Sequence, residues 1–158
     1  DRHVGPPVSP GRDDAMPVEA LLAGYAPEIA ALAERLRAVV WRAVPEAIER
    51  VRPGWRLIGF DLPVGKRTTY FAWVWPEWEH VHLGYQHGIY MADPDHRLQG
   101  AHLRLKKVRY VTFGPGDDIL PTREAELIEI TRAAASIAAM SRAEQVALLM
   151  DRDLTTSD

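Results

Sequence analysis

The chain has no cysteine. That excludes a disulfide framework and thiolate chemistry, and it fits a cytosolic setting. No apolar run approaches the ~20 residues that span a bilayer, and no apolar core of a secretory signal is visible near the start. The expected localisation is therefore cytoplasmic, with no membrane partner. A strong charge of one sign is also missing: 19 Lys and Arg stand against 22 Asp and Glu, a net charge of −3. Such a balance exerts no general pull on nucleic acid. There is no nucleophile elbow, no phosphate-binding glycine loop and no zinc-protease helix. Without an acid/base pair joined to a nucleophile or cofactor motif, the reading leans away from an enzyme and assigns no catalytic residue.

What is present is ordinary globular material. Hydrophobic residues make up 47% and charged residues 26% of 158 positions. That length favours one domain with a sizeable core. Residues 1–15 are rich in Pro, Gly, Asp and Arg without an apolar period, and are expected to be a disordered arm. The domain is expected over 16–154, with a frayed tail at 155–158.

The organising stretch is Thr68 to Gly100, which holds Trp73, Trp75 and Trp78 and the histidines His80, His82, His87 and His96. Thr68 to Trp75 has strand chemistry. Alternation places Thr69, Phe71, Trp73 and Trp75 on one face and Tyr70, Ala72 and Val74 on the other. Both faces are apolar, so both need cover. Helices, a second copy of the chain in a homodimer, or a ligand can supply it. Pro76 to Glu79 reads as a turn. The chain then returns through His80 to Gln86, with Val81, Leu83 and Tyr85 on one side and His80, His82 and Gly84 on the other.

Elsewhere, Pro17 to Ala23 reads as a short helix. Glu28 to Val44 reads as a long one, with Ile29, Leu32, Leu36, Val39 and Val40 at helical spacing. A Pro53-Gly54 turn precedes a strand from Trp55 to Asp61, and Lys107 to Phe113 reads as another. A helix starts near Thr122, with Leu127, Ile130, Ala134, Ile137 and Ala138 as its apolar stripe. Ser141 to Glu144 reads as a capping box for a last helix. Segregated elements in this order predict an α+β domain: a four-stranded, mostly antiparallel meander with N-terminal and C-terminal helices packed on it.

The run His80 to Val108 resembles the YdhG-like family of small bacterial domains. The pattern is carried by His80, Val81, Leu83, Gly84, Tyr85, Gly88, Asp93, Pro94, Leu98, Gly100, Arg104 and Lys106, with Pro45-Glu46 and Pro53-Gly54-Trp55 in support. The resemblance covers roughly Pro17 to Ile137. His82, His102 and Lys106 depart from it, standing where asparagine, glycine and arginine are usual. One member of that family is proposed to be a frataxin-like iron chaperone, so the resemblance implies iron delivery as an alternative function.

Read from the residues, Trp55, Trp73, Trp75 and Tyr85 form either core or one wall of a groove. Two imidazoles on one strand face, His80 and His82, make a metal pair under the iron alternative; otherwise they are solvent-side polar residues and no cofactor is expected. Glu124, Glu126 and Glu129 form an acidic ridge or, more simply, the acids of a helix N-terminus. Arg104, Lys106, Lys107 and Arg109, with Tyr110, read as a charged strand edge, an anion contact or, against the acidic net charge, a nucleic-acid contact. The leading expectation is a non-enzymatic module that binds a small ligand or protein through Trp55, Trp73, His80, Tyr85, Arg104 and Lys106.

Overall fold

The computed structural model describes residues 16–101 and 107–156. The expected arm and the residues His102, Arg104 and Lys106 lie outside them. The architecture is α+β: one antiparallel sheet with helices packed on it.

Helix α1, Val18–Leu22, buries Val18, Leu21 and Leu22. Helix α2, Pro27–Ala43, opens on a proline, whose missing N–H is harmless in a first turn. Its apolar stripe from Ile29 to Ala43 is buried. Helix α3, Pro121–Ala138, also begins on proline and buries Leu127, Ala134, Ile137 and Ala138 as the spacing predicts. It buries Thr131 as well, whose hydroxyl meets that of Tyr85. Helix α4, Arg142–Thr156, begins with the expected capping box. The Ser141 backbone N–H donates to Glu144 Oε1 at 2.8 Å, and the Glu144 N–H donates to Ser141 Oγ at 3.2 Å. These bonds to Ser141 hold the Glu144 carboxyl below the usual range.

The sheet has five strands rather than four: β1 Ile48–Arg52, β2 Leu57–Val64, β3 Arg67–Pro76, β4 Val81–Tyr85 and β5 Arg109–Phe113. They pair in chain order, each antiparallel to the next. The additional strand is β1. Its sequence, Ile-Glu-Arg-Val-Arg, shows little apolar alternation because it is an edge, where charge discourages further pairing. The Pro53-Gly54 turn lies between β1 and β2, closed by Trp55 N–H to Arg52 O at 3.1 Å.

The inward face of the sheet carries Val51, Ile58, Phe60, Val74, Leu83, Tyr85 and Val111, in one cluster with the buried residues of α1, α2 and α3. Tyr70, Trp73, Trp75 and Tyr110 stand outside that cluster. A bulge decides how β3 divides between the faces. Phe60 pairs with Ala72, but Asp61 pairs with Tyr70, so Phe71 is the extra residue. Phe71 and Ala72 are both fully buried as a result. Strict alternation, which groups Phe71 with Trp73, fails at this point.

On the face that bears no helix among the described residues, the helix-free face, Arg50, Gly59, Trp73, Gly84 and Tyr110 form one row across the five strands. The two glycines flank the tryptophan. A Cβ on Gly84 would sit 2.3 Å from Trp73 Cε2 and Cζ2, so the indole lies flat on that glycine. A Cβ on Gly59 would sit 2.9 Å from Tyr70 Cε1 and 2.6 Å from Arg52 Nε. Tyr70 and Trp73 stack at 6.1 Å between centroids, and the Arg52 guanidinium lies 4.3 Å over the Tyr70 ring. Trp73 is thereby only 8% exposed, with no second layer of helices among the described residues. The expected cover on this side is present at Trp73, from the sheet's own rings, but not at Trp75, which is 39% exposed.

Gly84→Ala should therefore cost about 1–3 kcal/mol, the range for forcing a methyl into filled space. In urea unfolding, Trp73→Ala combined with Gly84→Ala should cost less than the sum of the two single changes by at least ~0.5 kcal/mol. Strict additivity would show that the ring does not press on Gly84.

Candidate functional site

The antiparallel order places the β1–β2 and β3–β4 turns at the same end of the sheet. Trp55 and Arg56 are on the first. Glu77, Trp78, Glu79 and His80 make the second, closed by Glu77 N–H to His80 O at 2.7 Å. Tyr25, from the connection between α1 and α2, reaches the same end. Its ring lies 5.1 Å from that of Trp78, tilted by 36°. The Arg56 guanidinium covers both, 5.6 Å from the Tyr25 centroid and 5.3 Å from the Trp78 centroid. These side chains, with Trp75, Pro76 and His80, line a groove of about 520 Å³. Trp55, Trp75 and Trp78, three of the five tryptophans, are the exposed ones, and Trp78 is the most open at 66%.

The aromatic band continues from the groove onto the helix-free face. Trp75 lies 5.3 Å from the His82 ring, and Tyr110 meets His82 edge-on at 5.5 Å. His82 is the polar centre of this band. Its Nε2 is 2.9 Å from Glu77 Oε1 and its Nδ1 is 2.8 Å from Thr112 Oγ1. Thr112 in turn donates to Gln99 Oε1 at 3.0 Å. The order carboxylate, imidazole, hydroxyl is that of a nucleophilic relay, but the hydroxyl proton is committed to Gln99. Gln99 also pairs with Tyr110 through both backbone groups, at 2.7 and 3.0 Å, which ties the loop after Asp93 to β5. That loop is built on the Asp93 carboxylate, which accepts from the N–H groups of Arg97 and Leu98 at 2.8 and 2.9 Å.

The sequence-predicted residues fall in different places. His80 lines the groove, and Trp55 is on the adjoining turn. Trp73 is on the helix-free face, lying on Gly84 beside Tyr70. Tyr85 is on the opposite face, fully buried, with its hydroxyl 2.8 Å from Thr131 Oγ1. Burial pushes that hydroxyl well above the usual phenol range, partly offset by the Thr131 bond. Tyr85 thus belongs to the core and does not share a surface with Trp73. Tyr70 is likewise shifted upward by burial, against the pull of the Arg52 charge.

The metal readings meet similar competition. The His80 and His82 rings are 6.4 Å apart between centroids, and both nitrogens of His82 are hydrogen-bonded. Of the acidic ridge, Glu124 pairs with Arg35 and Arg42, and Glu129 pairs with Arg132. Glu126 is held below the usual carboxyl range by hydrogen bonds from Arg123 and Arg97. Among the described residues no group of three or more His, Asp or Glu side chains converges as a metal site would require.

A second cavity, about 690 Å³, lies among Gly88, Ile89, Met91, Leu98, Leu149 and Arg152. Arg152 donates there to the carbonyls of Met91 and Ile89 at 2.5 and 2.8 Å, fastening α4 to the turn after β4. The groove residues that sequence reasoning missed are Tyr25, Arg56 and Trp78. The signal for two of them was present: hairpin turns on alternate connections of a meander share an end, and each of these turns carries a tryptophan.

Set against models of known protein families, curated proteins and solved structures, the chain matches none of them.

Tyr85→Phe should cost about 1–3 kcal/mol in denaturant unfolding, because it strands the buried Thr131 hydroxyl. A change near zero would mean that Thr131 finds another partner and that the Tyr85 bond does not hold α3 to the sheet.

Proposed function

We propose that the chain is a non-enzymatic binding module of the YdhG-like type, and that its binding surface is the groove formed by Tyr25, Arg56, Trp75, Trp78 and His80. The observation that carries this reading is the placement of aromatic surface. Trp73, which needs cover, receives it from neighbouring side chains. Trp75 and Trp78 remain exposed around a groove of about 520 Å³ that also presents charge. Ligand sites commonly fall between ~300 and ~1,000 Å³ and combine apolar walls with a few polar groups. Iron delivery, the alternative implied by the family resemblance, draws no support from His82, whose ring is already held by Glu77 and Thr112.

A fragment screen followed by NMR tests the reading. Binding fragments should shift the indole N–H signals of Trp75 and Trp78 and leave that of Trp41 unmoved, since Trp41 packs against Phe60 and donates to Glu49. Trp78→Ala should weaken the hits about tenfold or more, roughly 1.4 kcal/mol. The same change should leave stability within about 0.5 kcal/mol, as for other exposed positions. Hits that cluster instead around Gly88 and Arg152 would move the site elsewhere.

A further inference from the structure

Resting on the reading of this groove as a binding site, we propose its occupant: the segment Pro7 to Arg12 of the same chain, which lies outside the described residues. It docks as a polyproline II helix, its prolines on Trp75 and Trp78 and Arg12 among the glutamates. The surface of the groove is the first support. Trp75 and Trp78 are exposed in it, and Tyr25 and Pro76 add further ring surface. Aromatic-lined grooves are the usual receptors of polyproline II segments, which are already extended when free and lose little freedom on docking. Charge is the second support. Two carboxylates, Glu77 and Glu79, line the groove against one guanidinium, Arg56. Among the described residues the Glu79 side chain has no hydrogen bond or ion pair. The groove therefore suits a ligand that joins apolar ridges to a positive charge. The sequence supplies one. Residues 7–12 read Pro-Val-Ser-Pro-Gly-Arg, with Arg12 as their single charge. A polyproline II helix has three residues per turn, so Pro7 and Pro10 stand on one edge ~9 Å apart, with Val4 a turn earlier. Reach is sufficient. The five residues of α1 are ~8 Å long. The three that follow to Tyr25 add at most ~11 Å. Tyr25 is thus within ~19 Å of Val18, and the chain from Pro10 to Val18 spans up to ~27 Å when extended. So short a tether gives a millimolar effective concentration, at which even a weak contact stays formed.

NMR of the full chain tests this at the indole N–H signals. Pro7→Ala, Pro10→Ala and Arg12→Ala together should shift the signals of Trp75 and Trp78 and leave that of Trp41 unmoved. A synthetic peptide of residues 4–13, added to that variant, should return both signals toward their original positions, and a peptide carrying the same three alanines should not. Arg12→Glu alone should reproduce most of the shift, and Arg12→Lys little of it. Fragments that bind the groove should bind the triple variant about threefold or more tightly than the unaltered chain, the factor for a groove filled two-thirds of the time. Docking needs both indoles, so a chain that keeps Trp78 as its only tryptophan leaves that ring open. Unmoved Trp75 and Trp78 signals in the triple variant would overturn the docking. Equal effects of Arg12→Lys and Arg12→Glu would overturn the pairing with the glutamates. Signals that revert to those of the triple variant on dilution would place the segment in the groove of a second copy and overturn docking within one chain. Fragments that bind both chains equally would overturn the occupant while leaving the groove as the binding surface.

Discussion

The contact on which this structure depends is the indole of Trp73 lying on Gly84. A sheet with helices on one side only has a second face to protect. This chain protects it with a single layer of rings, and rings can lie that low only where the neighbouring strands have no side chain. Gly59 and Gly84 supply those gaps on either side of Trp73. Tyr70 and Arg52 then complete the cover, with Asp61 3.4 Å from the Arg52 Nη2. The arrangement places large apolar area out of water without an added element, at ~25 cal/mol per Å² of apolar surface removed.

The same device explains where exposed aromatic surface remains. The paving runs across β2, β3 and β4 but stops at the end of the sheet where two hairpin turns meet. There Trp75 and Trp78 have no glycine opposite to lie upon. They line a groove instead, with Tyr25 brought in by the connection between α1 and α2. His82, bonded on both nitrogens, joins this end to β5 and the Asp93 loop. The face thus divides into a sealed structural part and an open part at one end.

Much of this fold was legible in the sequence. Helices α2 and α3 are visible because their apolar residues recur at helical spacing over several turns, and α4 because Ser141 and Glu144 have the capping spacing. The β3–β4 hairpin is visible in its aromatic and β-branched run broken at Pro76. Strand β1 is hidden because edge charges on Glu49, Arg50 and Arg52 erase its period. The bulge at Phe71 is hidden because alternation assumes a constant step, and one extra residue puts the two ends of β3 out of phase. The site was legible only in part. Tyr85 and Trp73 read alike as strand aromatics, and only the register, with Tyr85 opposite Ala72 and Trp73 opposite Gly84, puts them on opposite faces. Tyr25 and Arg56 could not be joined from spacing, since their meeting depends on how the helices seat on the sheet.

The aromatic surface is dry at Trp73, on the helix-free face, and open at Trp78, in the groove at the end of the sheet. Tryptophan emission measures that difference directly. In variants that retain a single tryptophan, Trp73 should emit at short wavelength and resist acrylamide, and Trp78 should emit at long wavelength and be quenched freely. Red-shifted, readily quenched emission from Trp73 in a folded chain would contradict the account, because the ring could not then lie sealed on Gly84.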